Sequence, residues 1–282
     1  MKRGYADTPE GQIHYMSAGE GEPLLLLHQT GSSRQFCKLL PILAQRYRTF
    51  APDNLGSGNS DPVPPDVQIP DLARSMVHFM DFLGLEKAHI FGFHTGNKIA
   101  TEMAAAWPSR VDRLMLCGKT HSIMADHEAL NLALKAVVGP SIRKFEPAPD
   151  GSHLLKQWAA DFGAMTNLWW DTTNFARETL TPDLLQRRKE RVIDKLQMRD
   201  LAEVYRAIFA FDLGARMRQI KARTLIIEIE TPEEAHLERQ GEKLVKLVPG
   251  SRLATVAHTT GGLVVDAEAE ELARLILDFL KG

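Results

Sequence analysis

Short unbroken apolar runs alternate along this chain with stretches in which apolar residues return every three or four positions. The run EPLLLL, Glu22 to Leu27, closes on the turn-like HQTGSS and reads as a buried strand of a parallel sheet. RQFCKLLPILAQRY follows with helical spacing. YRTFAP is the next strand, and DNLGSGNSDP is a glycine-rich loop. IPDLARSMVHFMDFLGL reads as an amphipathic helix with Leu72, Met76, Phe79, Met80 and Leu83 on one side. KAHIFGF is a strand, NKIATEMAAAWP a helix stopped at Pro108, and VDRLMLCG a further strand. After Gly118 the alternation lapses into a helical pattern with irregular pieces. It resumes with ARTLIIEI as strand, EEAHLERQGEKLVKLV as helix, RLATVAH as strand and AEAEELARLILDFL as closing helix.

Strand–helix alternation predicts an α/β fold, a mostly parallel sheet with helices on both faces. Residues 1–118 and 222–282 are expected to form this core, and 119–221 a helical cap or lid. The length of 282 residues suits that plan. A net charge of −2 provides no basic footprint for nucleic acid. No run of 18 apolar residues is available for a membrane span. The start, MKRGYADTPEGQ, lacks the apolar segment of a secretory signal. Two cysteines, Cys37 and Cys117, build no disulfide framework and read as core filler. A cytoplasmic location is the expectation. GSGNS follows a strand but lacks the P-loop lysine and the third glycine of a dinucleotide fingerprint, so no cofactor is expected. The partner expected is a small-molecule substrate, and a homodimer is compatible with the chain.

The chemistry concentrates in HIFGFHTGNKIA, His89 to Ala100: an apolar run, Gly-x-x-x-Gly, then a helical pattern. With LLLLH at 24–28, APDNLGSGNSD at 51–61 and VAHTTGG at 256–262, it resembles the α/β-hydrolase superfamily over nearly the whole chain. The resemblance implies the α/β-hydrolase fold and a triad running Ser, Asp or Glu, His. It places the nucleophile elbow at GFHTG, where His94 stands instead of Ser, and the family's catalytic His at His258. The acid belongs after the strand ARTLIIEI, where Glu228, Glu230, Glu233 and Glu234 crowd together; Glu230 is the expected choice, against the alternative that these glutamates solvate a loop. Oxyanion donors are expected at the backbone of Thr95 and Thr30, with Gln29 replacing the usual glycine after His28. His28 is expected to line the site.

An imidazole reaches about 2 Å further from the backbone than a hydroxyl. His94 therefore has two chemistries open to it. It can attack and form a labile acyl-imidazole, or His94 and His258 can hold a water or a substrate proton with one of them as general base. A coupled imidazole pair with one ring neutral favours the base. Arg34 could bind a substrate carboxylate or be an ordinary solvated arginine. His28, His94, His121 and His258 lie at strand ends, but their spacing matches no metal motif, so no metal is expected. Trp158, Phe162, Trp169, Trp170, Phe175 and Phe209 either line an apolar substrate pocket, with Trp169 and Trp170 the chief candidates, or form the cap's own core. The expected function is a hydrolase acting on a small, largely apolar carbonyl compound: an activated ester, a lactone or a β-dicarbonyl-like substrate. The alternatives are a catalytically inactive ligand-binding protein on the same fold and a His-ligated metal hydrolase.

Overall fold

The computed structural model describes residues 1–120, 148–155, 186, 189–190, 193–194, 201–258 and 263–282, without the side chains of 201, 202, 233, 235 and 236. Most of the expected cap falls outside this set, and with it His121, Trp158, Phe162, Trp169, Trp170 and Phe175.

Among the described residues eight strands form one sheet in the order β1-β2-β4-β3-β5-β6-β7-β8. β1 (Lys2–Thr8) and β2 (Gly11–Ala18) make an antiparallel hairpin, and β2 pairs antiparallel with β4 (Arg48–Pro52). From β4 onward every pairing is parallel, through β3 (Pro23–Leu27), β5 (Ala88–Phe93), β6 (Val111–Cys117), β7 (Arg223–Glu230) and β8 (Arg252–Ala257). The expected parallel strands are all present; the hairpin is an addition to them. Its strands mix polar and apolar residues because β1 is an edge and faces solvent over much of its length.

The pleat divides the core in two. Leu25, Leu27, Ile90, Leu114 and Ile226 face one layer, with α2 (Ile69–Phe82) and α3 (Thr95–Ala106). Their neighbours Leu24, Leu26, Phe91, Met115 and Ile227 face the other, with α1 (Leu39–Leu43) and the helix at the carboxyl terminus. A strand buried on both faces needs apolar side chains at every position, which is why PLLLL carries no alternation. α4 (Leu201–Ala210) and α5 (Leu213–Met217) join the first layer, and Arg216 on α5 grips the buried Glu102 of α3 through Nε at 2.6 Å.

Two expected helices are broken. Residues 34–47 form a 3-10 turn, Ser33–Phe36, and the short α1, with Pro41 inside the first turn of α1, where its missing N–H costs nothing. The stretch 233–248 forms a 3-10 segment, Pro232–Leu237, and then α6 (Gly241–Leu247), parted at Glu238, whose φ is 56°. The expected closing helix is present as α8 (Ala269–Lys281), preceded by a short extra helix, α7 (Val264–Ala267). Among the described residues no helix is long and apolar enough to cross a membrane.

Candidate active site

β5 ends at Phe93 and α3 opens at Thr95, so one residue, His94, turns the chain from strand to helix. It does so at φ 47° and ψ −100°, where a Cβ crowds its own backbone and the cost is about 1–3 kcal/mol. Two glycines make room for the turn. A Cβ on Gly92 would lie 2.5 Å from the Gly96 carbonyl oxygen, and one on Gly96 would lie 2.0 Å from that of Leu27. Gly-x-x-x-Gly is thus a packing requirement that seats α3 against β3 and β5. The His94 N–H donates to the Cys117 carbonyl at 3.1 Å. Its ring packs edge-on to Phe93, centroids 4.5 Å apart. Gly118 lies beside it, where a Cβ would fall 2.8 Å from Nδ1 and Cε1.

The carboxylate at this ring is Glu234. Its Oε1 is 3.1 Å from His94 Nε2. Its Oε2 is buried with no hydrogen-bond partner among the described residues. Glu234 sits in the 3-10 segment after β7 at φ −106°, ψ 15°, off the helical path. An ionised carboxylate only accepts, so Nε2 carries the ring hydrogen and Nδ1 of the neutral ring keeps the lone pair.

His258 follows β8 and is buried, with its N–H donating to the Glu230 carbonyl at 2.8 Å. Its Nδ1 meets Glu268 Oε1 at 3.2 Å. The expectation that Glu230 would be the acid beside it is therefore corrected. The Glu230 side chain is half exposed and pairs with Arg239. Glu230 shares its strand face with the buried Glu228 and, at the open end of β7, reaches Arg239, whereas Glu234, four positions on in the 3-10 segment, meets His94. Glu268, between α7 and α8, was missed; it is one of four acidic residues in AEAEELARLILDFL, and nothing local sets it apart.

His28 is corrected too. It is fully buried, with Nε2 accepting the Asn54 N–H at 2.9 Å and Nδ1–H donating to the Gln29 carbonyl. Burial holds its pKa below the ordinary value, so it stays neutral and splices two loops instead of facing a ligand. Thr30 is half buried; its Oγ1 is 3.5 Å from the Tyr205 hydroxyl, and its carbonyl accepts from Gln35 Nε2 at 2.9 Å. Thr95 opens α3, so its N–H is one of the first-turn donors with no acceptor inside the helix. Arg34 is not a solvated arginine: its Nη1 lies 2.6 Å from Asp194 Oδ1, while the Ser32 hydroxyl donates to Asp194 Oδ2 at 2.7 Å. Burial raises the Asp194 pKa, against the pull of Ser32 and Arg34. Cys117 is buried, and burial with the nearby Glu234 pushes its thiol well up, so it offers no thiolate. Phe209 is half buried beside Tyr205. Among the described residues no group of three or more His, Cys, Asp or Glu could hold a metal ion.

A family model described as alpha/beta hydrolase fold matches residues 22–194. A 2-hydroxy-6-oxo-6-phenylhexa-2,4-dienoate hydrolase of Comamonas testosteroni is 28% identical over 98% of this chain and 93% of that protein. A 2-hydroxy-6-oxononadienedioate/2-hydroxy-6-oxononatrienedioate hydrolase of Pseudomonas putida is 30% identical over 96% of this chain and 92% of its own. Among solved structures, the enol-lactonase from Burkholderia xenovorans LB400 superposes with a TM-score of 0.72 at 22% identity, covering 99% of this chain and 100% of that one. The sheet order, the glycine-framed turn after β5 and a family match over more than half of the sequence agree: the chain belongs to the α/β-hydrolase fold family.

Proposed function

We propose that this α/β-hydrolase-family enzyme hydrolyses a small, largely apolar carbonyl compound by general-base catalysis, with Nδ1 of His94 as the base. The observation that carries the reading is the His94 Nε2–Glu234 Oε1 contact of 3.1 Å on a residue held at φ 47°. A strained backbone and a buried carboxylate oxygen left unpartnered are both costs to the fold, and costs of this kind gather at functional sites. In the reading, Nδ1 takes a proton from water, the hydroxide adds to the substrate carbonyl, and Glu234 stabilises the imidazolium through Nε2–H. The oxyanion is received by the backbone N–H groups of Thr95 and Thr30. As the adduct collapses, the protonated His94 Nδ1 returns that proton to the leaving group; His258, held by Glu268, is the second imidazole of the proposed site.

The relatives' names, unsaturated 6-oxo acids for both hydrolases, support an unsaturated or β-dicarbonyl-like carbonyl as the substrate. A panel of activated esters, lactones and 2-hydroxy-6-oxo-dienoates tests this. Turnover of at least one class is expected, insensitive to serine-directed phosphonates. His94→Ala is expected to lower kcat by about 10²–10⁴, the usual yield of a general base, without loss of fold. Full activity in His94→Ala, or a stoichiometric serine adduct, would overturn it. No turnover on the panel, with ligands still raising Tm, would favour a ligand-binding protein on the same fold.

A further inference from the structure

Glu234 is carried by irregular chain, yet its carboxylate must meet one ring nitrogen. Three anchors hold that chain. Lys119 Nζ donates to the Glu234 carbonyl at 3.5 Å. The buried Glu228 takes the backbone N–H of Gly241 on Oε1 at 3.1 Å and that of Gln240 on the same oxygen. The third anchor is the Gln240 side chain, 0% exposed. Its Oε1 accepts the Thr120 N–H at 2.9 Å, and its Nε2 donates to the Thr120 carbonyl at 2.8 Å and the Leu237 carbonyl at 3.1 Å. One amide thereby mimics a strand partner for Thr120 and closes the turn after Leu237. It fastens the Glu234 segment to the exit of β6, the same exit whose Gly118 lies against the His94 ring.

We infer that Gln240 is a positioning residue that sets the His94–Glu234 contact by tying the segment after β7 to the segment after β6. The inference rests on the proposed role of that pair. A buried amide with every donor and acceptor satisfied is rigid, because releasing it strands several buried polar groups at once. The reach of the Glu234 carboxylate is therefore fixed from the far end of its own segment, six residues on. An apolar side chain at 240 would remove the amide bonds to the Thr120 backbone and the Leu237 carbonyl and let the segment drift away from the ring.

The test reads ring N–H protons in protein labelled with ¹⁵N-histidine. A histidine N–H is visible only when a hydrogen bond protects it from exchange. The unsubstituted protein is expected to show His94 Nε2–H, assigned by its loss in His94→Asn, and His28 Nδ1–H. In Gln240→Met the His94 signal should vanish while that of His28 persists as the marker of an intact core. With a substrate from the panel, kcat should fall about tenfold with KM within about twofold, the pattern of a lost transition-state interaction. Gln240→Asn, too short to span to Thr120, is read in the same way should Gln240→Met lose the His28 signal. A His94 signal present in the parent and unchanged in the variants overturns the inference alone. Its absence from the parent overturns the His94–Glu234 reading as well. Loss of the His28 signal in both variants makes Gln240 a folding residue and also overturns it.

Discussion

Lys98 stands four positions past His94, buried, with its Nζ on the Thr120 hydroxyl at 3.2 Å. Burial lowers its pKa from 10.5 to about 8. Below about 8 the lysine is charged in both folded and unfolded chains, so the fold bears the whole cost of a desolvated ammonium. Between about 8 and 10.5 the folded chain releases its proton while the unfolded chain keeps it, and the cost fades. Lys98→Met is therefore expected to raise stability at pH 7 by on the order of 2 kcal/mol, and to confer almost nothing above pH 10.5. Urea unfolding of both proteins across that range checks it; an equal gain at both ends would contradict the burial account. Such single residues were the least legible part of the sequence. His94 and His258 stood out because motifs of fixed spacing surround them. Which glutamate serves His94 did not, because four lie within seven positions and only the path of the chain after β7 chooses among them.

At the scale of elements, the legible parts were those whose pattern is set by burial on both sides. PLLLL, AHIFGF and VDRLMLC are strands because parallel neighbours and helices cover almost all of their length. The β1–β2 hairpin was not legible, since its residues answer to solvent over much of their length and form no continuous apolar run. The two broken helices failed for a related reason: apolar spacing says which face a segment buries, not whether it stays continuous across Pro41 or Glu238. The junction of β3, β5 and α3 is the tightest joint between elements. Adding one methyl at Gly96 places it 2.0 Å from the Leu27 carbonyl oxygen, which is backbone and cannot rotate aside. Gly96→Ala must push α3 off the sheet, and is expected to cost about 3 kcal/mol, the upper end of ordinary overpacking. Because α3 carries the Thr95 donor and the His94 turn, activity should fall more steeply than stability. Thermal unfolding beside kcat checks both; a variant with unchanged Tm would mean that the helix seats more loosely than its glycines require.

On the scale of the molecule, one buried carboxylate joins parts of the chain that are far apart in sequence. Asp53, just past β4, accepts from His14 Nδ1 in the hairpin at 2.8 Å, from the Ser33 N–H after β3 at 2.6 Å and from the Asn59 N–H at 3.0 Å. Burial alone would raise its pKa; the hydrogen bond from His14 and the other donors outweigh it and hold the group from 3.8 down to about 2. A carboxyl whose folded pKa is depressed stabilises the fold fully above its unfolded value. That contribution is lost as pH falls from about 3.8 towards about 2. The difference corresponds to about 2 kcal/mol. Asp53→Asn is expected to lose at least that much at pH 7, since an amide cannot accept from all three donors without presenting its own N–H to one of them. It should also flatten the acid limb of the stability curve between pH 4 and 2, where the Asp53 contribution is lost. The loop carrying Thr30 should loosen with that loss, because Asp53 accepts the Ser33 N–H of that loop. Urea midpoints measured from pH 2 to 7 decide the matter. Parallel acid limbs for the two proteins would mean that other carboxylates govern acid unfolding, and that the Asp53 cluster joins the hairpin to the site without carrying its stability.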